Sequence, residues 1–427
     1  STSSCRKGGE CMKRYEKYKP TGIQWLPEIP EYWEAVKIKY CFNQRSEKGF
    51  PNEPILCATQ SRGVIPQTLY ENRVVVVNKG FEGLKLVKVG DFVISLRSFQ
   101  GGIEYAYYQG IISSAYTILS PQKESSSPYF KYLFKSHPFI QLLQTCVTGI
   151  REGQNINYSV LGNSFIPIPP IPEQNKIVAY LDKRITLIEN CKCQRERELQ
   201  TLNELKQAEI ASVVTRGLNP DVPMKDSGIP WIGQIPVHWN IRRAKFMFKK
   251  EKREVRSTDR VITCFRDGQV TLRENRRTTG FTESITEIGY QGIRKGDLII
   301  HQMDAFAGSI GVSDSDGKGT SVYHCCTPKG PYIPEYYALV LREMARTGYI
   351  QSLYRGIRER SSDFNFQTFG KQYLPIPPED EQKEIVNFIH TRINKIDTMI
   401  EALKAEIDRL TEYKQRLISD VVTGQID

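Results

Sequence analysis

The longest regular pattern of apolar and polar positions lies near the end of the chain. Between Pro378 and Gly424 the sequence contains neither glycine nor proline, and apolar residues recur at steps of four and three. This spacing predicts a long α-helix whose apolar stripe packs against another helix in a coiled coil. The stripe is interrupted at Lys414 and comprises Ile385, Ile389, Ile393, Ile396, Ile400, Leu403, Ile407, Leu410, Leu417 and Val421.

A second segment without glycine or proline runs from Glu173 to Arg216. Moved back by 208 residues, the stripe falls on positions that are apolar at both ends of this segment and more polar in its middle, at Lys192 and Arg195. Each segment predicts a helix of about 43 residues, roughly 65 Å long. If the two stripes meet, the helices are antiparallel, so we expect an antiparallel coiled coil.

Most short motifs of the chain occur twice, 206–208 residues apart. The two copies resemble each other at these motifs and differ in the stretches between them. A duplicated frame with two unlike inserts indicates a molecule that recognises two different ligands. The repeated pairs are Gly22–Trp33 with Gly228–Trp239, Val89–Ile94 with Lys295–Ile300, Gly149–Glu152 with Gly356–Glu359, and Pro167–Gln174 with Pro375–Gln382.

The part of each repeat that precedes the long helix predicts an α+β domain. Over roughly 21–166 and 227–374, short β-branched and aromatic runs alternate with glycine and proline, which is typical of short strands joined by turns. The clearest predicted strands are Arg73–Asn78 and Gly296–Ile300, and the predicted helices are Tyr129–Cys146 and Pro334–Tyr354.

Composition narrows the class of protein. The 427 residues are 39% hydrophobic and 25% charged, as in globular proteins, and no apolar run reaches the roughly 18–20 residues that cross a bilayer. The start of the chain lacks the apolar region of a secretory signal. Ten scattered cysteines without a Cys-x-x-Cys pair predict reduced thiols in a cytoplasmic protein. The net charge of +11 favours a polyanionic partner such as nucleic acid.

The sequence contains no convincing catalytic motif. An adenine methyltransferase needs an Asn-Pro-Pro-aromatic loop, whereas this chain has Asn219-Pro220-Asp221. Gly311–Lys318 approximates a phosphate-binding loop, but it is one residue too long and is followed by Gly319 where Ser or Thr belongs. The acidic cluster at Glu379–Glu381 is explained by the preference of carboxylates for a helix start. We therefore predict a chain that is not an enzyme and holds neither metal nor cofactor.

Together these features resemble the specificity (S) subunit, HsdS, of type I restriction-modification systems. The resemblance rests on the Pro-Ile-Pro-Pro…Glu-Gln motif before each long helix and on Trp231–Trp239, which is similar to the opening of each target-recognition domain in that family. Trp25–Trp33 is the first copy, and the resemblance extends from about Tyr18 over nearly the whole chain. It implies an α+β fold with two pseudo-symmetric globular α/β target-recognition domains, separated by two long antiparallel helices that form a coiled coil.

The resemblance also implies a function. Each target-recognition domain recognises one half of a bipartite, asymmetric site in double-stranded DNA, and the helices set the spacer between the halves. The helices bind two methyltransferase (M) subunits, which carry S-adenosylmethionine, and restriction/translocase (R) subunits join the complex. The implied divisions are an N-terminal extension (1–17), target-recognition domain 1 (18–170), spacer helix 1 (171–217), a linker (218–226), target-recognition domain 2 (227–378) and spacer helix 2 (379–427).

Recognition of bases requires forked side chains on braced loops, with Arg suited to guanine and Asn or Gln to adenine. Such residues occur at equivalent places in the two repeats and differ between them; Arg97, for example, corresponds to Met303. The candidates for base contacts are Arg62, Arg97 and Gln100 in the first repeat and Arg266, Gln269 and His301 in the second. The candidates for other DNA contacts, mainly to phosphates, are Lys79, Arg276 and the repeated Arg151 and Arg358.

Alternatives remain at three levels. Arg151 and Arg358 are the same in both copies, which suits a phosphate contact or a structural ion pair. The basic run from Arg242 to Arg256 predicts phosphate contacts or a solvated face. The whole chain could be a duplicated scaffold whose domains bind proteins rather than DNA.

Overall fold

A computed structural model describes residues 14–70, 80–122, 127–148, 155–276, 289–353 and 364–426. The chain forms two compact units. Unit 1 comprises Ser1–Glu196 and Lys404–Asp427, and unit 2 comprises Arg197–Leu403. Each unit therefore combines the α+β part of one repeat with segments of both long helices.

The α+β part of unit 1 consists of short strands and short helices. Its strands are β1 (Tyr18–Ile23), β2 (Leu26–Pro30), β3 (Glu34–Lys37), β4 (Phe42–Arg45), β5 (Leu56–Thr59), β6 (Gly63–Pro66), β7 (Lys85–Val87), β8 (Phe92–Ile94), β9 (Glu104–Tyr105), β10 (Gly110–Ile112), β11 (Thr117–Pro121), β12 (Val147–Thr148), β13 (Asn155–Ile156) and β14 (Phe165–Ile168). The short helices are α1 (Ile38–Cys41), α2 (Ser98–Gly101), α3 (Ser127–Leu133), α4 (His137–Thr145) and α5 (Tyr158–Leu161). The long α6 (Ile171–Arg216) follows this part and contributes residues to both units.

Four antiparallel strands form the central sheet of unit 1, in the order β4–β11–β8–β9. Aromatic side chains join this sheet to α3 and the turn that follows it. The ring of Phe42 lies 4.9 Å from that of Phe130, and the ring of Phe92 lies 5.0 Å from that of Phe134, both edge to face. All four rings are buried, so the core of unit 1 lies between the sheet and these helices.

Unit 2 repeats this arrangement. Its strands are β15 (Met224–Asp226), β16 (Gln234–Pro236), β17 (Asn240–Arg243), β18 (Phe248–Glu251), β19 (Ile262–Cys264), β20 (Val270–Leu272), β21 (Gln291–Ile293), β22 (Leu298–His301), β23 (Ile310–Val312), β24 (Gly317–Gly319), β25 (Tyr323–Pro328) and β26 (Tyr373–Ile376). The helices are α7 (Ala244–Met247), α8 (Pro334–Arg346), α9 (Tyr349–Ser352), α10 (Phe366–Lys371) and the long α11 (Glu379–Val422). The central sheet has the equivalent order β18–β25–β22–β23, which confirms the predicted α+β fold class and its duplication.

A strand pair leads into each long helix. β3 pairs with β14 in unit 1, and β17 pairs with β26 in unit 2, both antiparallel. The strands β14 and β26 end in the repeated Pro-Ile motif, after which α6 and α11 begin. Pairing of an early strand with a late one therefore fixes where each long helix leaves its domain.

The repeated tryptophan of the opening motif holds the start of each long helix. Trp33 Nε1 donates to Glu173 Oε1 at 3.1 Å in the first turn of α6. Trp239 Nε1 donates to Glu381 Oε2 at 3.0 Å in the first turn of α11. Both indoles are fully buried, and a carboxylate in the first turn also suits the helix dipole. The two repeated motifs are thus explained by one structural contact.

The repeated glutamine binds the chain just before each long helix. Gln174 Nε2 donates to Pro169 O at 2.8 Å, and Gln382 Nε2 donates to Pro377 O at 2.9 Å. Both glutamines are buried. The repeated Glu-Gln pair therefore ties the first helical turn to the tryptophan on one side and to the preceding prolines on the other.

The long helices pair within each unit. In unit 1, Lys414 Nζ lies 2.7 Å from Glu189 Oε1, and Arg195 Nε lies 3.1 Å from Glu406 Oε1. Because the residue numbers of the paired positions increase along α6 and decrease along α11, the two helices are antiparallel. The predicted coiled coil is confirmed.

Unit 2 shows the same antiparallel pairing, with Lys206 Nζ 2.6 Å from Asp397 Oδ1 and Arg392 bound to Glu209 at 2.8 Å. Every residue of the predicted stripe on α11 is buried or half-buried. Lys206 and Lys414, which interrupt equivalent places in the apolar stripes, each find a carboxylate on the facing helix. Ion pairs between the two helices therefore occupy these interruptions of the apolar stripes.

Two predicted helices are divided in the structure. Tyr129–Cys146 forms α3 and α4, because Pro138 at the start of α4 lacks the N–H that would continue the first helix. Pro334–Tyr354 forms α8 and α9, which are separated by Gly348 with a φ of 74°. The predicted strand Gly296–Ile300 is observed as β22, whereas Arg73–Asn78 lies outside the described residues.

Within the described ranges, no helix is both long and apolar enough to cross a membrane. The cysteines in these ranges are free thiols, and burial raises the pKa of Cys41 to about 11 and that of Cys264 to about 12. Cys5 and Cys11 lie outside them.

Candidate nucleic-acid interface

The first predicted loop of unit 1 is a tight hairpin between β5 and β6. The hydroxyl of buried Thr59 accepts from Arg62 N at 3.0 Å and donates to Gly63 O at 2.9 Å. These two bonds brace the turn from inside, and the Arg62 side chain is exposed at its tip, where Nη1 donates to Leu69 O at 3.2 Å. A rigid hairpin thus presents one guanidinium to solvent.

The second loop of unit 1 carries Arg97 and Gln100. Buried Ser98 anchors it, because its hydroxyl accepts from Ser95 N at 2.8 Å. Arg97 precedes α2 and Gln100 lies within it, and both side chains are exposed. Neither side chain makes a hydrogen bond or ion pair with another residue that the structure describes. Both are therefore available to an external ligand on a braced turn, as base contacts require.

The equivalent loops of unit 2 hold their charged side chains in internal pairs. Arg266 Nη2 lies 3.1 Å from Asp304 Oδ1, and Arg276 Nη1 lies 2.6 Å from Asp267 Oδ2. The guanidinium of Arg276 also stacks 4.3 Å from the ring centre of Phe265. Gln269, the remaining candidate in this hairpin, is exposed. Unit 2 therefore presents a network of arginines and carboxylates where unit 1 presents single side chains.

His301 caps its own turn. Its Nδ1 accepts from Asp304 N at 3.1 Å and from Met303 N at 3.3 Å, and its ring packs 5.1 Å from that of Tyr323. Burial lowers the pKa of the imidazole. The backbone thus engages Nδ1, and Nε2 lies 3.9 Å from Asp304 Oδ2.

Three predicted contact residues, Lys79, Arg151 and Arg358, lie outside the described residues, together with both copies of the Gly-Ile-Arg-Glu motif. Their predicted roles stay predictions.

Part of the basic run from Arg242 to Arg256 is internal. Arg253 forms an ion pair with Asp297, and the same carboxylate accepts from Arg294 N at 2.8 Å. Unit 1 has the same arrangement, in which Asp91 binds Arg45 Nε at 2.9 Å. The repeated Gly-Asp motif therefore positions a buried carboxylate for an arginine at the end of β4 or just after β18. Lys250 and Arg243 of the run are exposed.

Comparison with known proteins agrees with this geometry. Residues 30–201 match the model of the family described as "Type I restriction modification DNA specificity domain". Two curated relatives come from Methanocaldococcus jannaschii. The putative type I restriction enzyme MjaX specificity subunit is 24% identical over 53% of this chain and 54% of the relative. The type I restriction enzyme MjaVIII specificity subunit is 24% identical over 51% of this chain and 49% of the relative. Over these segments the chain is similar to specificity subunits of type I restriction enzymes. It spans about half the length of the curated relatives it matches.

Solved structures share the fold of this chain over most of its length. A chain from a study of complex assembly and conformational transition of the type I R-M system covers 92% of this chain and 98% of its own length, with a TM-score of 0.66 at 16% identity. The HsdS subunit from Thermoanaerobacter tengcongensis covers 93% of this chain and 98% of its own length, with a TM-score of 0.51 at 15% identity.

Two half-buried cations beneath the loops were not among the predicted site residues. Lys135 of unit 1 and Arg342 of unit 2 are 207 residues apart, like Tyr129 and Tyr336, whose hydroxyls donate to equivalent carbonyls at the ends of α11 and α6. The signal that could have found them is a basic residue at the same place of both repeats within an otherwise apolar helical segment.

The described residues contain no group of His, Cys, Asp and Glu that could hold a metal ion.

Proposed function

We propose that this chain is the DNA sequence-specificity subunit of a type I restriction-modification enzyme, in which each unit recognises one half of a bipartite, asymmetric site. The observation that carries the proposal is that the two units share equivalent sheets and turns but differ in the side chains of their loops. Equivalent sheets brace equivalent turns, yet exposed Arg97 corresponds to Met303 and Gln60 to Arg266. Different chemistry on an equivalent support is what two different half-sites require.

In this proposal some of the candidate residues contact bases and others contact phosphates. Arg97 would donate two bonds to guanine O6 and N7, and Gln100 would pair with adenine N6 and N7. Arg62, Arg266, Gln269 and His301 complete the candidates for base contacts. Arg276, Lys79, Arg151 and Arg358 would bind phosphates, which position the protein without specifying sequence.

The long helices would set the spacer and dock the partners. Apolar side chains on their outer faces are exposed, among them Leu187, Phe388, Met399 and Tyr413. Exposed apolar residues on a helix pair favour further helices as partners. We assign this face to two methyltransferase subunits, which would carry S-adenosylmethionine, with restriction/translocase subunits joining the complex. The chain itself would act without a catalytic centre, in the cytoplasm.

The divisions of the chain in this proposal are the N-terminal extension 1–17, target-recognition domain 1 (18–170), spacer helix 1 (171–217), the linker 218–226, target-recognition domain 2 (227–378) and spacer helix 2 (379–427). They agree with the tryptophan junctions, which mark where each long helix begins.

A selection experiment tests the proposal. The full chain, alone and with its methyltransferase partners, is mixed with a library of random 40-bp duplexes, and the bound fraction is sequenced over a series of salt concentrations. We expect two short conserved half-sites at a fixed gap, and loss of specific binding when either half is scrambled. Enrichment of no sequence, with equal affinity for all duplexes, would instead support a duplicated scaffold that binds proteins.

A further inference from the structure

A cleft in unit 2 lies beside the hairpin that carries Arg266. Its volume is about 630 Å³, and it opens between that hairpin, α8 and the paired long helices. The charged residues that line it are mostly basic: Lys206, Arg266, Arg342 and Arg346, with Asp267 and Glu343. The cleft is thus large enough for a phosphate group and bordered by four cationic side chains.

All but one of these charges have an internal partner. Lys206 binds Asp397 at 2.6 Å, and Arg266 binds Asp304 at 3.1 Å. Arg346 binds buried Glu343 at 2.6 Å, and Asp267 binds Arg276 at 2.6 Å. The exception is Arg342. Among the residues that the structure describes, its guanidinium forms no ion pair, and its buried Nε has no hydrogen-bond partner.

Arg342 is also held in place. It is half-buried on α8, and its guanidinium lies against the backbone of Gly268, where a Cβ would come within 2.5 Å of Nη1. Burial lowers the pKa of this guanidinium, and the charge of Asp267 offsets only part of that effect. A cation that is partly desolvated without its own carboxylate is costly to the protein alone, and an anion in the cleft would relieve that cost.

In unit 1 the equivalent cation has a counter-charge within the domain. Lys135 Nζ lies 2.6 Å from the buried carboxylate of Glu104 and donates to Gly101 O at 2.9 Å. By strand register, Glu104 opposite Val93 corresponds to Gly311 opposite Ile299. Gly311 has no side chain, and a Cβ there would lie 1.9 Å from Gly268 O. The fold of unit 2 therefore excludes the counter-charge that unit 1 provides.

We propose that the cleft of unit 2 binds a phosphate of the DNA backbone, with Arg342 as its principal contact. Arg266 lines the same cleft and lies in a hairpin assigned to base recognition, so a phosphate held here would fix the register of that hairpin on the duplex. The inference deepens the proposed function and rests on it. It makes the two units unequal: the half-site of unit 2 gains a phosphate contact that the Lys135–Glu104 pair of unit 1 cannot make.

The test measures the salt dependence of DNA binding by the full chain. The probe is a fluorescent 30-bp duplex of mixed sequence, titrated between about 50 and 300 mM NaCl. Each neutralised phosphate contributes about 0.9 to the slope of log affinity against log salt concentration. For Arg342→Gln we expect the slope to fall by about that amount and affinity near 0.1 M salt to fall roughly five- to tenfold. Arg342→Lys, which keeps the charge, is expected to restore the slope.

The matched control is the double variant Glu104→Gln/Lys135→Gln in unit 1, which removes an internal pair and should leave the slope unchanged. If the wild-type chain binds DNA and Arg342→Gln leaves the slope unchanged, the inference is wrong. A cleft that binds an acidic side chain of a protein partner instead of a phosphate would give this result. Absence of binding by the wild-type chain, alone and with its methyltransferase partners, would instead contradict the proposed function.

Discussion

The two units balance the charge of an equivalent half-buried cation in opposite ways. In unit 1, Lys135 neutralises Glu104 inside the domain. In unit 2, Arg342 lies at the equivalent place, but Gly311 replaces the carboxylate and a cleft opens beside the guanidinium. Both repeats have a cation at this position, but only unit 1 has a carboxylate that balances it. In our proposal, a phosphate balances the cation of unit 2. A repeat can therefore diverge in function through its internal charge balance as well as through its surface loops.

The largest expected effect concerns stability, and it should appear in one unit only. At about pH 8, where Glu104 is mostly ionised, Lys135→Met leaves its buried carboxylate without a partner, which typically costs about 3 kcal/mol or more. Arg342→Met removes a cation that has no partner among the described residues, so the free energy of unfolding should stay the same or rise. Urea denaturation of the two full-length variants measures both. Equal destabilisation would mean that Arg342 is satisfied internally.

The second expected effect is a pH dependence that belongs to unit 1. Burial raises the pKa of Glu104 to about 7, and the charge of Lys135 offsets only part of that rise. Because the folded-state pKa lies above the unfolded one, the stability contributed by protonated Glu104 is fully present below about pH 4.5 and is lost as pH rises through about 7. The change amounts to about 3 kcal/mol.

Glu104→Gln should remove this component of the pH profile. Burial raises the pKa of the neighbouring Tyr107 and lowers the pKa of Lys135. Unit 2 has no equivalent carboxylate, so Arg342→Gln should leave the shape of the profile unchanged. Identical stability profiles of the wild type and Glu104→Gln between pH 4 and 8 would contradict this assignment.

The third expected effect separates base contacts from phosphate contacts. Arg97→Ala should relax one position of one half-site, with a loss of about 1–3 kcal/mol in discrimination. Binding selections on random duplexes measure this directly. Uniform weakening across all sequences would assign Arg97 to a phosphate, as proposed for Arg342, and would remove the contrast between the two.

The smallest expected effect concerns the coiled coil. Lys206–Asp397 and Lys414–Glu189 are equivalent pairs, one in each unit, and both are partly exposed. Exposed pairs contribute about 0.2–1 kcal/mol. Lys206→Gln and Lys414→Gln should therefore lower the melting temperature slightly and to a similar extent. A large loss from only one of them would show that the two halves of the helix pair are not equivalent.

The sequence was most informative where periodicity is long. The stripe from Ile385 to Val421 and its shifted copy predicted the two helices and their pairing, because a heptad pattern over about 40 residues has few structural alternatives. Short elements were harder. The break between α3 and α4 depends on one proline, and the break between α8 and α9 on one glycine with positive φ.

The candidate site could be predicted only in part. Loops with suitable side chains were visible as differences between the repeats, yet the internal pairing of Arg266 and Arg276 depends on carboxylates that folding brings near. The contrast between Lys135 and Arg342 was hidden, because only folding brings Lys135 next to Glu104. Strand register and the repeat interval both identify Gly311 as the residue that replaces Glu104, but neither shows that Glu104 balances a charge.

The central claim is that two units recognise two half-sites at a distance set by the long helices. The most direct measurement maps methylated adenines in cells that contain this chain with its methyltransferase partner. It compares the wild type with a variant that carries one extra heptad in each helix, between Arg195 and Lys206 and between Asp397 and Glu406. One heptad adds about 10 Å, or roughly three base pairs. We predict unchanged half-sites and a longer gap; altered half-sites at an unchanged gap would contradict the claim.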